Sequence, residues 1–228
     1  MRRLRLVAIA FAVLLVVGIA GGYLFLVIKD RNAPSPLTLD RPAPSRHGAL
    51  PDGRWVVRSS ESVVGFRAHE KYLSLPVPST VVGRTSVVHG TMESRGGAIV
   101  ATSVVVDMRT LKTNDARRDE TLRSSLGPRW DEHPYGRFTL GSRPIELDRL
   151  RSGSVADIVA RGTLRLHDVD RRVEFPLQVQ FSGGRFQVAG RLRTKMTNFG
   201  FDPPSVVGLT TVRNGVTIEV KLTFLRSG

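Results

Sequence analysis

The chain has 228 residues, 34 Lys and Arg against 20 Asp and Glu, and no cysteine. That length allows one sizeable domain with appendages, and the missing cysteine excludes a disulfide scaffold, so the fold must be stable on core burial alone. Residues 1–52 hold 7 Lys and Arg against 3 Asp and Glu, leaving 27 against 17 in the remainder. The remaining positive charge is spread along the chain, with no helix-turn-helix, zinc-finger or RNA-recognition pattern, which argues against a nucleic-acid partner.

Arg2, Arg3 and Arg5 precede an uncharged run of 23 residues, Leu6–Ile28. As a helix this run would span about 34 Å, enough to cross a hydrocarbon core about 30 Å thick. The basic flank predicts a single-pass transmembrane anchor in residues 1–28, with a cytoplasmic N-terminus and everything after Ile28 extracytoplasmic. A cleaved signal peptide, with Gly18–Gly22 as its cleavage region, is the competing reading; the apolar continuation Tyr23–Ile28 speaks against it. Residues 29–53, punctuated by Pro34, Pro36, Pro42, Pro44 and Pro51, read as a linker with a reach of about 75 Å if polyproline-like. Residues 54–228 form the domain.

Strand signals then follow one another. In Ser62–Ala68, Val64, Phe66 and Ala68 share a face. Thr80–Met92 is β-branched, and Gly96-Gly97 reads as a hairpin turn leading into the apolar Ala98–Met108. The pattern breaks at Thr113–Ser125, which predicts a short helix capped by Asn114 or Asp115, with Arg118 and Asp119 exposed and Leu122 facing inward. Strands resume at Phe138–Leu147 and Val155–Leu166, the latter setting Ile158, Ala160, Gly162, Leu164 and Leu166 opposite Asp157, Arg161 and Arg165.

Arg171–Met196 is the clearest hairpin. Val173, Phe175, Leu177, Val179 and Phe181 alternate with polar residues and Pro176, and Gly183-Gly184 supplies two positive-φ turn positions. The turn predicts Phe181 opposite Phe186, Val179 opposite Val188, Leu177 opposite Gly190 and Phe175 opposite Leu192, with Glu174 meeting Arg193. Pro176 cannot donate to a ladder, so an irregularity is expected there. A Pro-containing loop, Asn198–Val212, precedes a last strand with Val216, Ile218, Val220 and Leu222 on one side and Thr217, Glu219 and Lys221 on the other.

About eight long antiparallel strands and one helical insert predict an all-β fold, an eight-stranded barrel in preference to a sandwich, with room for one small ligand. The inward set, rich in Val, Gly, Ala and Leu and without Trp, leaves space inside. No catalytic constellation stands out, and no cofactor is expected. The five histidines, His47, His69, His89, His133 and His167, lack metal-ligand spacing; His69-Glu70 and Asp131-Glu132-His133 are at best half sites and read as surface loops. Ser62 lacks a nucleophile elbow.

Several ordered motifs resemble the YceI-like family of exported lipid-binding barrels. They are Trp55, Ser62 and Phe66; then Asp107, Thr110, Thr113, Arg118, Asp119, Leu122 and Ser124; then Trp130, Asp131, Pro134 and Phe138. Gly162, Leu164, Leu166, Val169 and Val173 follow, with a late Phe199-Gly200 pair. Glu61 stands where the family often has His. The resemblance, covering Trp55 to Phe224, implies a lipocalin-like barrel that encloses a polyisoprenoid such as a prenyl quinone or prenyl phosphate, here beside the cell membrane. On that reading the chain is lined by Phe66, Val104, Val106, Leu122, Phe138, Leu164, Phe175, Leu177, Val179, Val188, Leu192, Ile218 and Val220. Arg118 is a head-group candidate, its alternative role being to pin the insert to the wall. The competing function is a cell-envelope interaction domain with a filled barrel and a basic surface.

Overall fold

The computed structural model describes residue 18 and residues 33–40, 50–72, 75–124, 127–147, 150, 154–206 and 210–227, without the side chains of 72, 75–78, 205, 206 and 210. The anchor expected over Leu6–Ile28 lies outside the described residues apart from Gly18. Among the described residues no helix is long and apolar enough to cross a membrane.

The alternating segments pair into one rolled antiparallel sheet. Its strands are β1 (Gly53–Val57), β2 (Val63–Tyr72), β3 (Leu75–Thr85), β4 (Val88–Arg95), β5 (Ala98–Asp107), β6 (Tyr135–Leu140), β7 (Ile145–Glu146), β8 (Val155–Leu166), β9 (Val169–Ser182), β10 (Arg185–Lys195), β11 (Ser205–Val206) and β12 (Thr210–Arg226). β1 and β2 lie end to end along one edge of β12, with Val57 opposite Phe224 and Val63 opposite Lys221. β4 and β3 pair with them in turn. Counting β1/β2 and β3/β4 as two interrupted strands, the described residues close a ring of eight: β1/β2, β3/β4, β5, β6, β8, β9, β10 and β12. The small β7 and β11 are paired to β5 and β12.

The interruption between β3 and β4 corrects the sequence reading, and both interruptions have a hydroxyl at their centre. Thr80–Met92 is not one strand: Thr85 Oγ1 accepts from the Val87 amide at 3.0 Å and turns the chain between β3 and β4. Between β1 and β2, the buried Ser62 Oγ accepts from the Thr223 amide at 3.0 Å and donates to the Arg58 carbonyl at 2.8 Å. A side chain thus takes over a ladder bond where the backbone has left the sheet. Phe138–Leu147 likewise divides into β6 and β7.

The Arg171–Met196 hairpin has the expected turn, Gly183 and Gly184 at φ 59° and 75°. Phe181 pairs with Phe186, Val179 with Val188 and Leu177 with Gly190. There the ladder stops, one residue short of Pro176, while β8 pairs with β9 continuously through Val159 opposite Pro176. The missing proline N–H ends the β10 side of the ladder. The expected Phe175–Leu192 and Glu174–Arg193 pairs are therefore absent; Glu174 meets Arg161 of β8 instead, at 3.0 Å. Gly190 is required at the last paired position, since a Cβ there would lie 2.3 Å from the Pro176 carbonyl oxygen.

The barrel has two unlike ends. The end formed by the Gly96-Gly97 and Gly183-Gly184 turns is packed solid. Trp55, 1 % exposed, stands edge-on to Phe186 and Phe181 at ring distances of 4.8 and 5.9 Å, among Val88, Val179 and Phe224. Its Nε1 donates to Ser94 Oγ at 2.8 Å. The expectation of an interior free of Trp is thus overturned at this end. At the other end β3, among the described residues, forms a ladder only with β2, and its other edge meets the chain through a backbone pair of Arg84 with Lys112. The segment between β5 and β6 covers this gap, carrying helix α1 (Ala116–Arg123).

Residues 33–40 cross the outside of the barrel. Arg67 Nη2 donates to the Pro34 carbonyl at 2.6 Å, and Arg84 Nη2 donates to the Ser35 carbonyl. Farther along, Asp40 receives Gln187 Nε2 at 3.1 Å and Lys221 Nζ at 2.7 Å, and its carbonyl receives Gln180 Nε2 at 3.2 Å. Beneath this strap lies Glu219, fully buried on the outer face, with Arg67 at 3.1 Å and Arg84 at 3.5 Å. The lysine at its carboxylate, with Gln187, holds Asp40 below the usual carboxylate value.

Candidate functional site

At the less packed end the wall residues leave a cavity of about 520 Å³, inside the size range of ligand pockets. It runs from Val104, Val106, Phe175 and Val220 in the barrel to Met108, Leu122 and Trp130 under the insert. The space exists partly because Phe66 lies flat against a wall without a side chain: a Cβ on Gly83 would sit 2.3 Å from its ring.

Local chemistry holds the insert over this cavity. Asp115 caps α1, its carboxylate accepting from the Arg117 amide at 3.0 Å. Asp119, expected on the surface, is 6 % exposed and accepts from both the amide and the hydroxyl of Thr113 at 2.7 and 2.8 Å. Arg118 is also drawn in: Nε and Nη2 make a two-pronged bond to the Glu70 carboxylate of β2, at 3.0 and 3.1 Å. Upstream, Asp107 accepts from the amide and guanidinium of Arg109, and the Thr110 hydroxyl donates to the Asp107 carbonyl. The Arg109 guanidinium lowers the pKa of Asp107, and the carboxylate raises that of Arg109. The Asp–Thr–Thr–Arg–Asp motif is thus a chain of fastenings for the lid of the barrel.

Rings close the mouth on the far side of α1. Trp130 meets Phe201 edge-on at 5.7 Å, Phe201 meets His167 at 5.4 Å, and His167 lies 3.8 Å from His133. His133 Nδ1 bonds Asp168 at 2.5 Å. Burial first, and then His133, push the His167 pKa below its ordinary value. His167 and Asp168 hold positive φ in the β8–β9 turn, 49° and 59°. Among the described residues no group of three or more His, Cys, Asp or Glu side chains is arranged to hold a metal ion.

Phe66, Val104, Val106, Leu122, Phe138, Leu164, Phe175, Ile218 and Val220 line the cavity, as does Arg118. Leu177, Val179, Val188 and Leu192 do not: Val179 and Val188 are buried in the main core, Val179 at 0 % exposure, and Leu177 and Leu192 pack against that core, Leu192 directly opposite the cavity-lining Ile218. Alternation assigns a side chain to the inside of the barrel but not to a height along it. The residues missed include Val64, Ala68, Val81, Leu166 and Val216 on the strands, and Met108, Leu111, Met196, Phe199 and Phe201 from irregular segments where period-2 reasoning has no grip. Trp130 and Phe199 did carry a signal, as family-motif residues.

No curated protein matches the chain. Among solved structures, a polyisoprenoid binding domain from Saccharophagus degradans implicated in plant cell wall breakdown is similar at a TM-score of 0.58 and 18% identity, covering 78% of this chain and 100% of that one. Burkholderia cenocepacia BcnA is similar at a TM-score of 0.56 and 15% identity, covering 73% and 98%. At such identities the likeness shows the fold. The model of the YceI-like domain matches residues 55–224, the whole barrel with its lid, and the chain belongs to the YceI-like domain family.

Proposed function

We propose that this protein is a membrane-tethered, extracytoplasmic carrier that encloses a polyisoprenoid, of the prenyl quinone or prenyl phosphate type, for storage, sensing or transfer. The observation that carries the reading is the cavity of about 520 Å³, walled by aliphatic and aromatic side chains from the strands and the insert. A filled barrel, as the competing interaction-domain reading requires, would leave no such space. Withdrawing apolar chain from water contributes about 25 cal/mol per Å², so affinity needs no polar signature. Arg118, bonded to Glu70 through Nε and Nη2 and to Asn114 through Nη1, serves first to pin the lid, and as a cation at the cavity wall it is the head-group candidate.

The name of the Saccharophagus domain supports a polyisoprenoid as the ligand class. Tethering rests on the basic flank and the 23-residue apolar run. The deciding experiment is mass spectrometry of solvent extracts from full-length protein purified from its natural host. A stoichiometric prenyl lipid is expected, with much less recovered from Val220→Trp, which fills the cavity. Repeated lipid-free preparations would overturn the reading.

A further inference from the structure

The strap sets where the barrel sits relative to a bilayer, an inference that rests on the tethered reading above. If the apolar run ends at Ile28, four residues, 29–32, separate it from Ala33. Fully extended, the five steps from Ile28 to Ala33 reach at most about 18 Å. Beyond that point the chain is no longer free, because Pro34 and Ser35 are bonded to Arg67 and Arg84, and Asp40 to Gln187 and Lys221. The strap starts at the β2–β3 wall, and Arg84 is the residue whose backbone pairs with Lys112 at the foot of the lid. A tether this short brings only one flank of the barrel to the membrane.

That flank is where the sheet is incomplete. Among the described residues β3 has a strand ladder on one edge and the single Arg84–Lys112 pair on the other, and the adjoining gap is covered by α1, whose Arg117, Arg118, Thr121 and Leu122 line the cavity. Charge there is sorted as a lipid surface would require. Lys71, Lys112 and Arg117 are exposed, while Glu70 and Asp119 are turned inward and bonded, Asp115 caps the helix, and Glu120 is the exposed acid of α1.

We infer that the β3–α1 flank is the bilayer-facing surface of the protein, resting on anionic head groups so that the lid opens toward the lipid. The chain has no cysteine, so a single fluorophore can be placed at Arg117→Cys on the lid or at Arg172→Cys on β9, which the ring order puts on the opposite wall. Both positions are exposed. Full-length protein is reconstituted into vesicles of phosphatidylcholine and phosphatidylglycerol carrying a nitroxide head-group quencher. Quenching several-fold stronger at position 117 than at 172 is expected, with the excess reduced in phosphatidylcholine alone. Protein that floats with the vesicles but is quenched equally at both positions overturns this inference alone. An excess unchanged in phosphatidylcholine removes its anionic component. Protein that does not float at all overturns the tethered reading and this one with it.

Discussion

The two ends of the barrel are built from the same alternating strands and do opposite things. At one end Trp55, Phe181 and Phe186 interlock edge to face and fill the ring. At the other, the inward positions are Val64, Ala68, Val81 and Val104, the rings of Phe66 and Phe138 lie along the wall, and a cavity remains. Interiors are packed nearly as densely as organic crystals, so an unfilled half is stable only if something else supports it. Here the packed end buries the larger aromatic core, and the lid over the other end is held by hydrogen bonds of its own. Stability and binding are thereby separated along the barrel axis.

That separation can be broken most forcefully at Trp55. Trp55→Ala leaves a void in the packed end and orphans Ser94 as acceptor, for an expected loss of about 4 kcal/mol, measured by denaturant unfolding. Lipid binding by the folded fraction should persist. Next comes the lid: Glu70→Ala removes the partner of a largely buried Arg118, at an expected cost of about 3 kcal/mol. Hydrogen exchange should show α1 opening while β9 and β10 remain protected. Gly83→Ala should cost less and act on the cavity. Its Cβ would press Phe66 off the wall, reducing the lipid content seen by mass spectrometry with a stability change of about 1 kcal/mol.

The smallest effects are those of pH. The folded pKa of His167 is depressed, so its contribution to stability is complete above the ordinary histidine value of 6.5 and is lost as pH falls through the lower folded value. Thermal unfolding scanned downward from pH 7 should show a loss below about 6.5 that His167→Gln abolishes. Asp40 is likewise depressed. Its hold on Lys221 is complete above the ordinary carboxylate value of 3.8 and fades below it, read as increased proteolysis of residues 33–40 with the barrel intact.

Much of the fold was legible because strands declare themselves by alternation and turns by paired glycines: β8 and the Gly183-Gly184 register follow directly from residue order. What alternation does not encode is axial height. Val179 and Val220 look equivalent in sequence, yet one is sealed at the packed end and the other faces the cavity. Nor does it encode a hydroxyl that turns the chain out of the sheet, so the break at Thr85 was invisible. Asp119 looked solvent-exposed because a carboxylate in a polar helix usually is; its burial depends on Thr113, six residues away, folding back over it. The strap left no pattern at all, since its partners are single polar residues on five different strands.

The strap also redraws the boundary of the folding unit. The family match begins at residue 55, and a protein trimmed to that point would retain every strand except part of β1. It would also present to water an outer face evolved to be covered: Gln180 at 1 % exposure, Gln187 at 8 % and Glu219 at 0 %. Cutting away residues 33–40 takes the carbonyl acceptors from Arg67 and Arg84 and the counter-charge from Lys221. A domain that starts near residue 33 keeps these contacts, and a segment with the composition of a spacer is one of its structural parts.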